Sequence, residues 1–537
     1  KYPYTSPASV SESSSHDVYQ ATNIYAQYEN TLAQKHYVKG MVGFNQESKR
    51  NESFSAGVKN LVNQDYPYIR LNNDDKPSVS SSIGDWALIG VFFRLNYVYD
   101  QKYLIEFNGR YDGSSRFARD NRYVFSPSVS VGYRISEEKF FQPLRSVIDN
   151  LKIRLSYGQL PNQQLNSNYG NYPYLATMGY GKTSYLFGNE SQLFVNAPGL
   201  VSPNFTWEKV QTKNIGFDFT LLRNRLSGSF DYYIRDTKDM IVGGFKLPAI
   251  LGTGSPNRNA ADLRTKGFEF EVSWNDRIGK FNYYAKFNFA TSENRVVFID
   301  DPKNQSEYLK KAGKSIGYVN KYLATGNFQS LDDIYNSAQS TIANGAHNTL
   351  IPGDLYYIDY NGDGMIDAKD MVPMKNLNYP TTTLGFTLGG SYKGIGFNML
   401  WYSAMDVYKE AIPSYLWDFP EGNIKAQPNT LNTWTADAPI QSGPIRPSIH
   451  VQRSYNSVAS TYTYTNHAYL RLKNLEVNYQ IPKRWLQPLR LTKLQVYVNG
   501  SNLLTFSKGD SRRDPEHSGQ NVYPMVRRYN IGFRLGL

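Results

Sequence analysis

The chain contains no cysteine. That excludes disulfide frameworks, thiolate zinc sites and thiol nucleophiles. No run of 18 or more apolar residues occurs and mean hydropathy is −0.53, so no transmembrane helix is encoded. Histidine is scarce. His16, His36, His347, His450, His467 and His517 show no HExxH or other paired spacing, so each reads as a solvated or lumen-lining residue. A GxSxG motif is absent, and the glycines at Gly243-Gly244 and Gly252-Thr-Gly254 lack the Lys-Ser/Thr of a phosphate loop. The sequence thus names no catalytic residue and reads as a non-enzyme. Concentrated basic runs are also missing. Net charge is +12 and the pI near 9.2, but the Lys and Arg are dispersed, which argues against nucleic acid as a partner. The chain opens Lys1-Tyr2-Pro3 with neither an initiator Met nor a signal peptide, the expected look of a processed or partial chain.

What is abundant is aromatic. Tyr numbers 44 and Phe 28, and aromatics make up 15% of the chain, a composition that suits strands and interfacial girdles. Apolar residues alternate with polar ones in segment after segment. At Arg528–Leu537, Tyr529, Ile531, Phe533, Leu535 and Leu537 oppose Arg528, Asn530, Gly532, Arg534 and Gly536. Phe268, Phe270, Val272 and Trp274 oppose Glu269, Glu271, Ser273 and Asn275 in the same way, as Tyr103, Ile105, Phe107 and Tyr111 oppose Glu106, Asn108, Arg110 and Asp112.

About fifteen strands follow from this pattern: 20–31, 36–49, 86–99, 102–113, 123–135, 149–159, 206–221, 226–241, 264–275, 280–296, 380–391, 395–407, 467–480, 491–504 and 526–537. No helix of any length is expected, beyond single turns at Leu309–Ala312 and Leu331–Ser340. The connections alternate short and long throughout. Outer-membrane barrels require that alternation, with short periplasmic turns and long extracellular loops, whereas a sandwich or propeller has no reason to sort its loops. The expected fold class is all-β: a transmembrane antiparallel barrel in the bacterial outer membrane, its outer face against lipid.

One motif points to a metal. Asp359-Tyr-Asn361-Gly-Asp363-Gly364-Met365-Ile366-Asp367-Ala-Lys-Asp370, inside loop 297–379, fits the spacing of an EF-hand loop. Asp359, Asn361 and Asp363 supply oxygens at positions 1, 3 and 5, Gly364 allows the sharp turn, and Met365 offers its carbonyl. Asp367 acts through water, and Asp370 stands where a bidentate Glu is usual, which weakens affinity. A structural Ca²⁺ that pins the loop is one reading. An Asx-rich turn without an ion is the other. Aromatic clusters in the loops, Tyr169, Tyr172, Tyr174, Tyr180 and Tyr185, then Tyr415, Trp417 and Phe419, are candidates for stacking on a ligand or for packing loop against loop. No substrate-binding residue can be assigned from them.

Several ordered motifs together resemble the SusC/RagA family of TonB-dependent outer-membrane transporters of Bacteroidota. They are Arg110-Tyr-Asp-Gly-Ser-Ser-Arg-Phe117, Phe125-Ser-Pro-Ser-Val-Ser-Val-Gly-Tyr-Arg134, Leu151–Gly158, Trp207-Glu208 with Asn214–Asp218, and Asp231–Ile234 with Thr237–Asp239. Lys266–Glu269 with Trp274–Asp276, Tyr469–Leu475 and Asn499–Phe506 continue the series. The resemblance implies a 22-stranded barrel, of which residues 1–537 would supply the C-terminal fifteen strands or so. It also implies an N-terminal plug, a SusD-like surface lipoprotein as lid, and energy from TonB–ExbB–ExbD. The expected function is active import of oligosaccharides or oligopeptides. The alternative is a SusC-like barrel serving as a non-transporting scaffold subunit. Two departures stand out: the plug and TonB-engaging segment have no counterpart here, and the last residue is Leu537 where such barrels typically end in Phe.

Overall fold

A computed structural model describes the chain apart from residues 1–8, 64, 72–76, 164–169, 189, 244–246, 303–304, 343–346, 376–378, 411–431, 438–442, 445, 449–453, 510–512, 518–522, 524 and 537, and the side chains at 249 and 489. The chain divides into two compact units. The first comprises Lys1–Tyr133, Arg154–Lys213 and Arg235–Asp262; the second comprises Arg134–Ile153, Asn214–Ile234 and Leu263–Leu537.

Fifteen strands lie in sequence order in one sheet. The first five are β1 (Ser9–Leu32), β2 (His36–Lys59), β3 (Ser78–Tyr99), β4 (Tyr103–Ser114) and β5 (Tyr123–Arg134). Next come β6 (Ile148–Asn162), β7 (Glu208–Leu221), β8 (Leu226–Val242) and β9 (Arg258–Ile278). The last six are β10 (Phe281–Ile299), β11 (Thr382–Tyr392), β12 (Ile395–Met405), β13 (Tyr469–Gln480), β14 (Lys493–Ser507) and β15 (Arg528–Gly536). Neighbours pair antiparallel from β1 to β5 and from β10 to β15. The expected strands all form.

The first three run further than alternation predicts. β1 begins at Ser9 rather than 20, β2 continues to Lys59 rather than 49, and β3 starts at Ser78 rather than 86. These extensions are rich in Ser, and Glu12, Ser14, His16, Glu52 and Ser81 interrupt the face that carries Val10, Phe54, Val58, Val79 and Ile83, so no continuous apolar stripe is there to read. Backbone pairing and cross-strand hydroxyls hold them instead: Ser53 meets Ser82 and Ser55 meets Ser80, each at 2.7 Å.

The two faces of the wall are sorted by polarity. In unit 1, Tyr103 of β4 stacks on Tyr133 of β5 with centroids 5.2 Å apart, and Tyr111 stacks on Tyr123 at 5.5 Å. Between these two tyrosine pairs lie the outward residues Ile105, Phe107, Phe125, Val129 and Val131, all exposed. Eight residues of tilted strand span roughly 20 Å, close to the apolar band of an outer-membrane barrel. The opposite face carries Asn108, which accepts from Arg94 at 2.6 Å, and Glu106, which accepts from Asn96 at 2.6 Å. In unit 2, Phe217, Phe230, Phe268 and Phe289 form a ring ladder across β7 to β10, with centroids 5.4 to 6.2 Å apart. Its polar face includes the ion pair of Arg534 with Glu476 at 3.1 Å.

The short links are hairpins of the type that matches strand twist. Ala33 and Gln34 both take positive φ, as do Asp100 and Gln101. The links 135–147 and 481–492 instead hold short helical turns, Lys139–Ser146 and Lys483–Leu486. In loop 300–381, the turn expected at 331–340 is the helix Leu331–Tyr335, closed by a capping box between Ser330 and Asp333.

Candidate functional site

The long loops of unit 2 build their own hydrophobic core. Tyr322, Ala324, Phe328, Ile334, Ile342, Leu350, Leu355, Tyr357 and Ile366 come from loop 300–381, and Tyr455 comes from loop 406–468. Polar contacts lock the two segments together. Asn456 accepts from the Leu355 N–H at 2.8 Å and donates to Asp354 at 2.7 Å, while the Tyr357 hydroxyl donates to the Tyr455 carbonyl at 3.1 Å. Burial pushes the Tyr357 and Tyr455 hydroxyls far above their usual range, so both stay neutral. A wholly buried Lys321 pairs with Glu410 across the same two loops, and its ammonium lies 5.3 Å from the Tyr464 ring. Burial pulls that ammonium down to about 8.

Below the loop core, charged side chains converge on the polar face of β12 and β13. Arg471 is completely buried and donates to Asp514 at 2.5 Å and to Thr505 at 3.0 Å. Lys473 donates to Glu516 at 2.5 Å, and the Tyr469 hydroxyl reaches the same carboxylate at 2.8 Å. Lys409 donates to the carbonyls of Pro515 and His517 at 2.8 and 2.9 Å. Burial by itself would raise the Glu516 carboxyl; the bonds from Lys473 and Tyr469 and the charge of Arg471 outweigh it and hold the group below the usual carboxylate range. The segment 513–517 is thereby bound to the wall. Beside it opens a cavity of about 670 Å³, lined among others by Asn288, Tyr402, Lys409, Tyr469, Lys473 and Glu516. Such a cavity offers aromatic faces and charged donors and acceptors to a ligand.

A β-bulge shapes this cluster. Leu472 pairs with Trp401 and Asn474 with Leu400, which leaves Lys473 as the extra residue. Inward parity therefore slips from Tyr469 and Arg471 to Asn474, Glu476 and Asn478. Sequence reasoning missed the cluster, although adjacent Lys473 and Asn474 in an alternating segment marked the slip.

Unit 1 has a second cavity, about 770 Å³, against β3 to β6, lined among others by Arg94, Glu106, Asn108, Arg110, Asp112 and Trp207. The motif residues here are architectural. Phe117 and Trp207 are buried with ring centroids 4.7 Å apart, joined by Val124 and Phe205. Glu208 accepts from the Ile241 N–H at 2.8 Å and from Asn162 at 2.7 Å, and Arg110 grips Asp112 at 2.7 Å.

The acidic loop is docked on the unit 2 loop core through Ile366, which is buried, and through a bond from the Gln339 N–H to the Gly364 carbonyl at 3.0 Å. Asp359 accepts from the N–H groups of Gly362 and Gly364, both at 2.8 Å, and Asp363 from that of Met365 at 3.0 Å. Gly362 and Gly364 have φ of 75° and 82°, the left-handed region glycine tolerates. Asp370 is buried and accepts from the N–H groups of Tyr360, Asn361 and Asp367. The ammonium of Lys369 sits 3.2 Å from Asp363 and 3.3 Å from Asp367. The Met365 N–H, then Asn361 and Lys369, hold the Asp363 carboxyl below its usual range. The oxygen-rich donors and the two glycines suit a hard cation. Among the described residues, however, no three acidic or histidine groups converge closely enough to hold a metal. The loop's carboxylates are instead satisfied by backbone N–H groups and Lys369.

The aromatic candidates divide. Tyr172 donates to Asp85 at 2.9 Å and Tyr174 to the Ser115 carbonyl at 3.4 Å, so both tie loop to wall. Tyr180 and Tyr185, 79% and 77% exposed, stand on the hairpin Tyr180–Phe187 with Glu190–Val195. Tyr169, Tyr415, Trp417, Phe419, His450, Gly244 and Leu537 lie outside the described residues.

A family model described as TonB dependent receptor-like, beta-barrel matches residues 1–503. The chain belongs to this family. TonB-dependent receptor P3 of Formosa agariphila is 28% identical over 96% of this chain and 52% of its own length. TonB-dependent receptor SusC of Bacteroides thetaiotaomicron is 26% identical over 96% of this chain and 49% of its own. The solved RagAB peptide transporter shares the fold, with a TM-score of 0.77, 21% identity, and coverage of 98% of this chain and 56% of that one. The chain thus spans about half the length of the curated relatives it matches. Barrels of this family lie in the outer membrane and are receptors and transporters rather than enzymes. The receptor barrel's short links accordingly face the periplasm and its long loops the exterior.

Proposed function

We propose that this chain forms the wall and external loop assembly of a SusC-type importer of oligosaccharides or oligopeptides. A SusD-like lipoprotein lids it, and TonB–ExbB–ExbD energises it. The observation that carries the reading is the pairing of a lipid-facing fifteen-stranded wall with external loops that own a core and hold charged cavities at its polar face. Likeness to SusC, and in fold to RagAB, supports it. Binding and gating suffice for the task, with no covalent step.

The test is purification of the full-length receptor with whatever lipoprotein accompanies it, identification of bound glycan or peptide by mass spectrometry, and uptake of that ligand in cells with and without TonB. Uptake that persists without TonB rejects energisation by TonB, whereas a complex that carries no ligand and supports no uptake rejects import and favours the scaffold role.

We further propose that Asp359, Asn361, Asp363, the Met365 carbonyl and Asp367 hold a structural Ca²⁺. Lys369 would be displaced outward, and buried Asp370 would keep the loop backbone in shape. The bound ion would pin the acidic loop to the loop core.

A further inference from the structure

The net charge of unit 2 is concentrated on its periplasmic edge. Its five links there, 135–147, 222–225, 279–280, 393–394 and 481–492, hold nine Lys or Arg against Glu137 and Glu138. Those 33 residues carry +7 of the chain's +12, whereas the unit's external loops 300–381, 406–468 and 508–527 sum to −3.

Most of these cations have no internal use. Arg145 pairs with Glu137 at 2.8 Å and Arg225 with Asp276 at 3.3 Å. Lys139, Arg223, Lys280, Lys393, Lys483, Arg484 and Arg490 are exposed and make no ion pair among the described residues. The links are neighbours along the edge: the Leu222 N–H donates to the Val147 carbonyl at 2.7 Å, that of Asn275 to Arg225 at 2.8 Å, and that of Gln480 to Gly394 at 2.7 Å.

Apolar side chains share the edge. Phe140 is 70% and Trp485 56% exposed, on the two links that carry helical turns instead of tight hairpins. Arg484 lies over the Trp485 ring at 5.7 Å and Lys393 over the Tyr392 ring at 5.3 Å. An aromatic ring beneath a cation suits the headgroup level of a bilayer, where the ring sits among upper acyl carbons and the cation meets phosphate. A water-facing rim has no need of the rings, and an acyl environment has no place for the charges.

We propose that this rim binds anionic phospholipid headgroups of the periplasmic leaflet and so fixes the depth and tilt of the barrel. The partner is a lipid surface because the charges are spread along an edge in the membrane plane, with rings between them, rather than gathered in a concave pocket.

The test uses the full-length receptor in nanodiscs of phosphatidylcholine alone or mixed with phosphatidylglycerol, with retained lipids counted by native mass spectrometry. The unaltered receptor is expected to enrich phosphatidylglycerol, less so at high salt. The triple variant Lys483→Ser, Arg484→Ser, Arg490→Ser and a second variant, Lys139→Ser, Lys280→Ser, Lys393→Ser, should each lose enrichment by about fivefold per cation removed. Lys310→Ser with Lys311→Ser, on the external side, should keep it. Heat-dependent gel mobility verifies that each variant folds. Equal retention of both lipids by the unaltered receptor, or full enrichment in both triple variants, overturns the proposal and leaves an acidic periplasmic protein as the rim's partner.

Discussion

The Phe117 ring packs against the Trp207 indole with centroids 4.7 Å apart, and the indole N–H donates to the Arg122 carbonyl at 3.1 Å. Two external loops, 115–122 and 163–207, are thereby clamped together at the top of the unit 1 wall. Trp207→Ala should cost about 3–5 kcal/mol, as for a buried aromatic truncated to a cavity. Trp207→Phe should cost about 1–3 kcal/mol, through the unpaired Arg122 carbonyl. Denaturant unfolding in detergent measures both, and equal effects would show the ring contact to be unimportant.

Gly353 joins the two loops of unit 2. Its φ is 96°, and a Cβ there would lie 2.6 Å from both Ser448 and Trp434. Gly353→Ala should loosen loop 406–468 from loop 300–381 at a cost of about 1–3 kcal/mol. Limited proteolysis should then cut the loops faster while the wall keeps its unfolding midpoint. An unchanged digestion pattern would refute the joint.

Arg471 is buried against Asp514 and Glu516. Removal of its charge in Arg471→Met leaves the Asp514 carboxylate without its cation, while Glu516 keeps Lys473, at an expected cost of about 3–5 kcal/mol. Adding Asp514→Asn should restore most of that. Hydrogen exchange across 513–517 reports the release, and a double variant no better than the single one would exclude the charge explanation.

Glu516 sets a pH dependence. Its folded carboxyl is held below the ordinary 4.5, so its stabilisation is complete above that value and is lost as pH falls through the lower folded pKa. Segment 513–517 should therefore detach from the wall in acid, with faster exchange below about pH 4.5. Glu516→Gln should flatten the profile. A profile unchanged by that substitution would assign the transition to another group.

For the acidic loop, EDTA should lower the thermal midpoint of the loop assembly and Ca²⁺ should restore it. Asp359→Ala or Asp363→Ala should abolish the response. If those variants and the parent respond alike, the loop is an Asx turn held by Lys369 and backbone N–H groups.

The strands were legible because lipid on one side and polar residues on the other impose a period of two, and the barrel's topology sorts the links into short and long. Legibility failed where that physics lapsed. The ends of β1 to β3 project polar residues on both faces, so their length is written only in backbone pairing between distant segments. Arg471 and Lys473 looked like ordinary wall residues, since what makes them a cluster is a one-residue bulge and the return of 513–517 from another loop. Tyr172 and Tyr174 gave no sign of being wall ties, because Asp85 and Ser115 lie far away in sequence.

By itself, the sequence determined the class of the molecule, the order of its strands and the side of the membrane each link faces, since these follow from local alternation and link length. Only the tertiary structure decided which residues share a loop core, which charges are buried in pairs and which line an edge. Those outcomes depend on side chains from separate loops meeting out of water, where an unpaired charge is costly and a matched one is held in place.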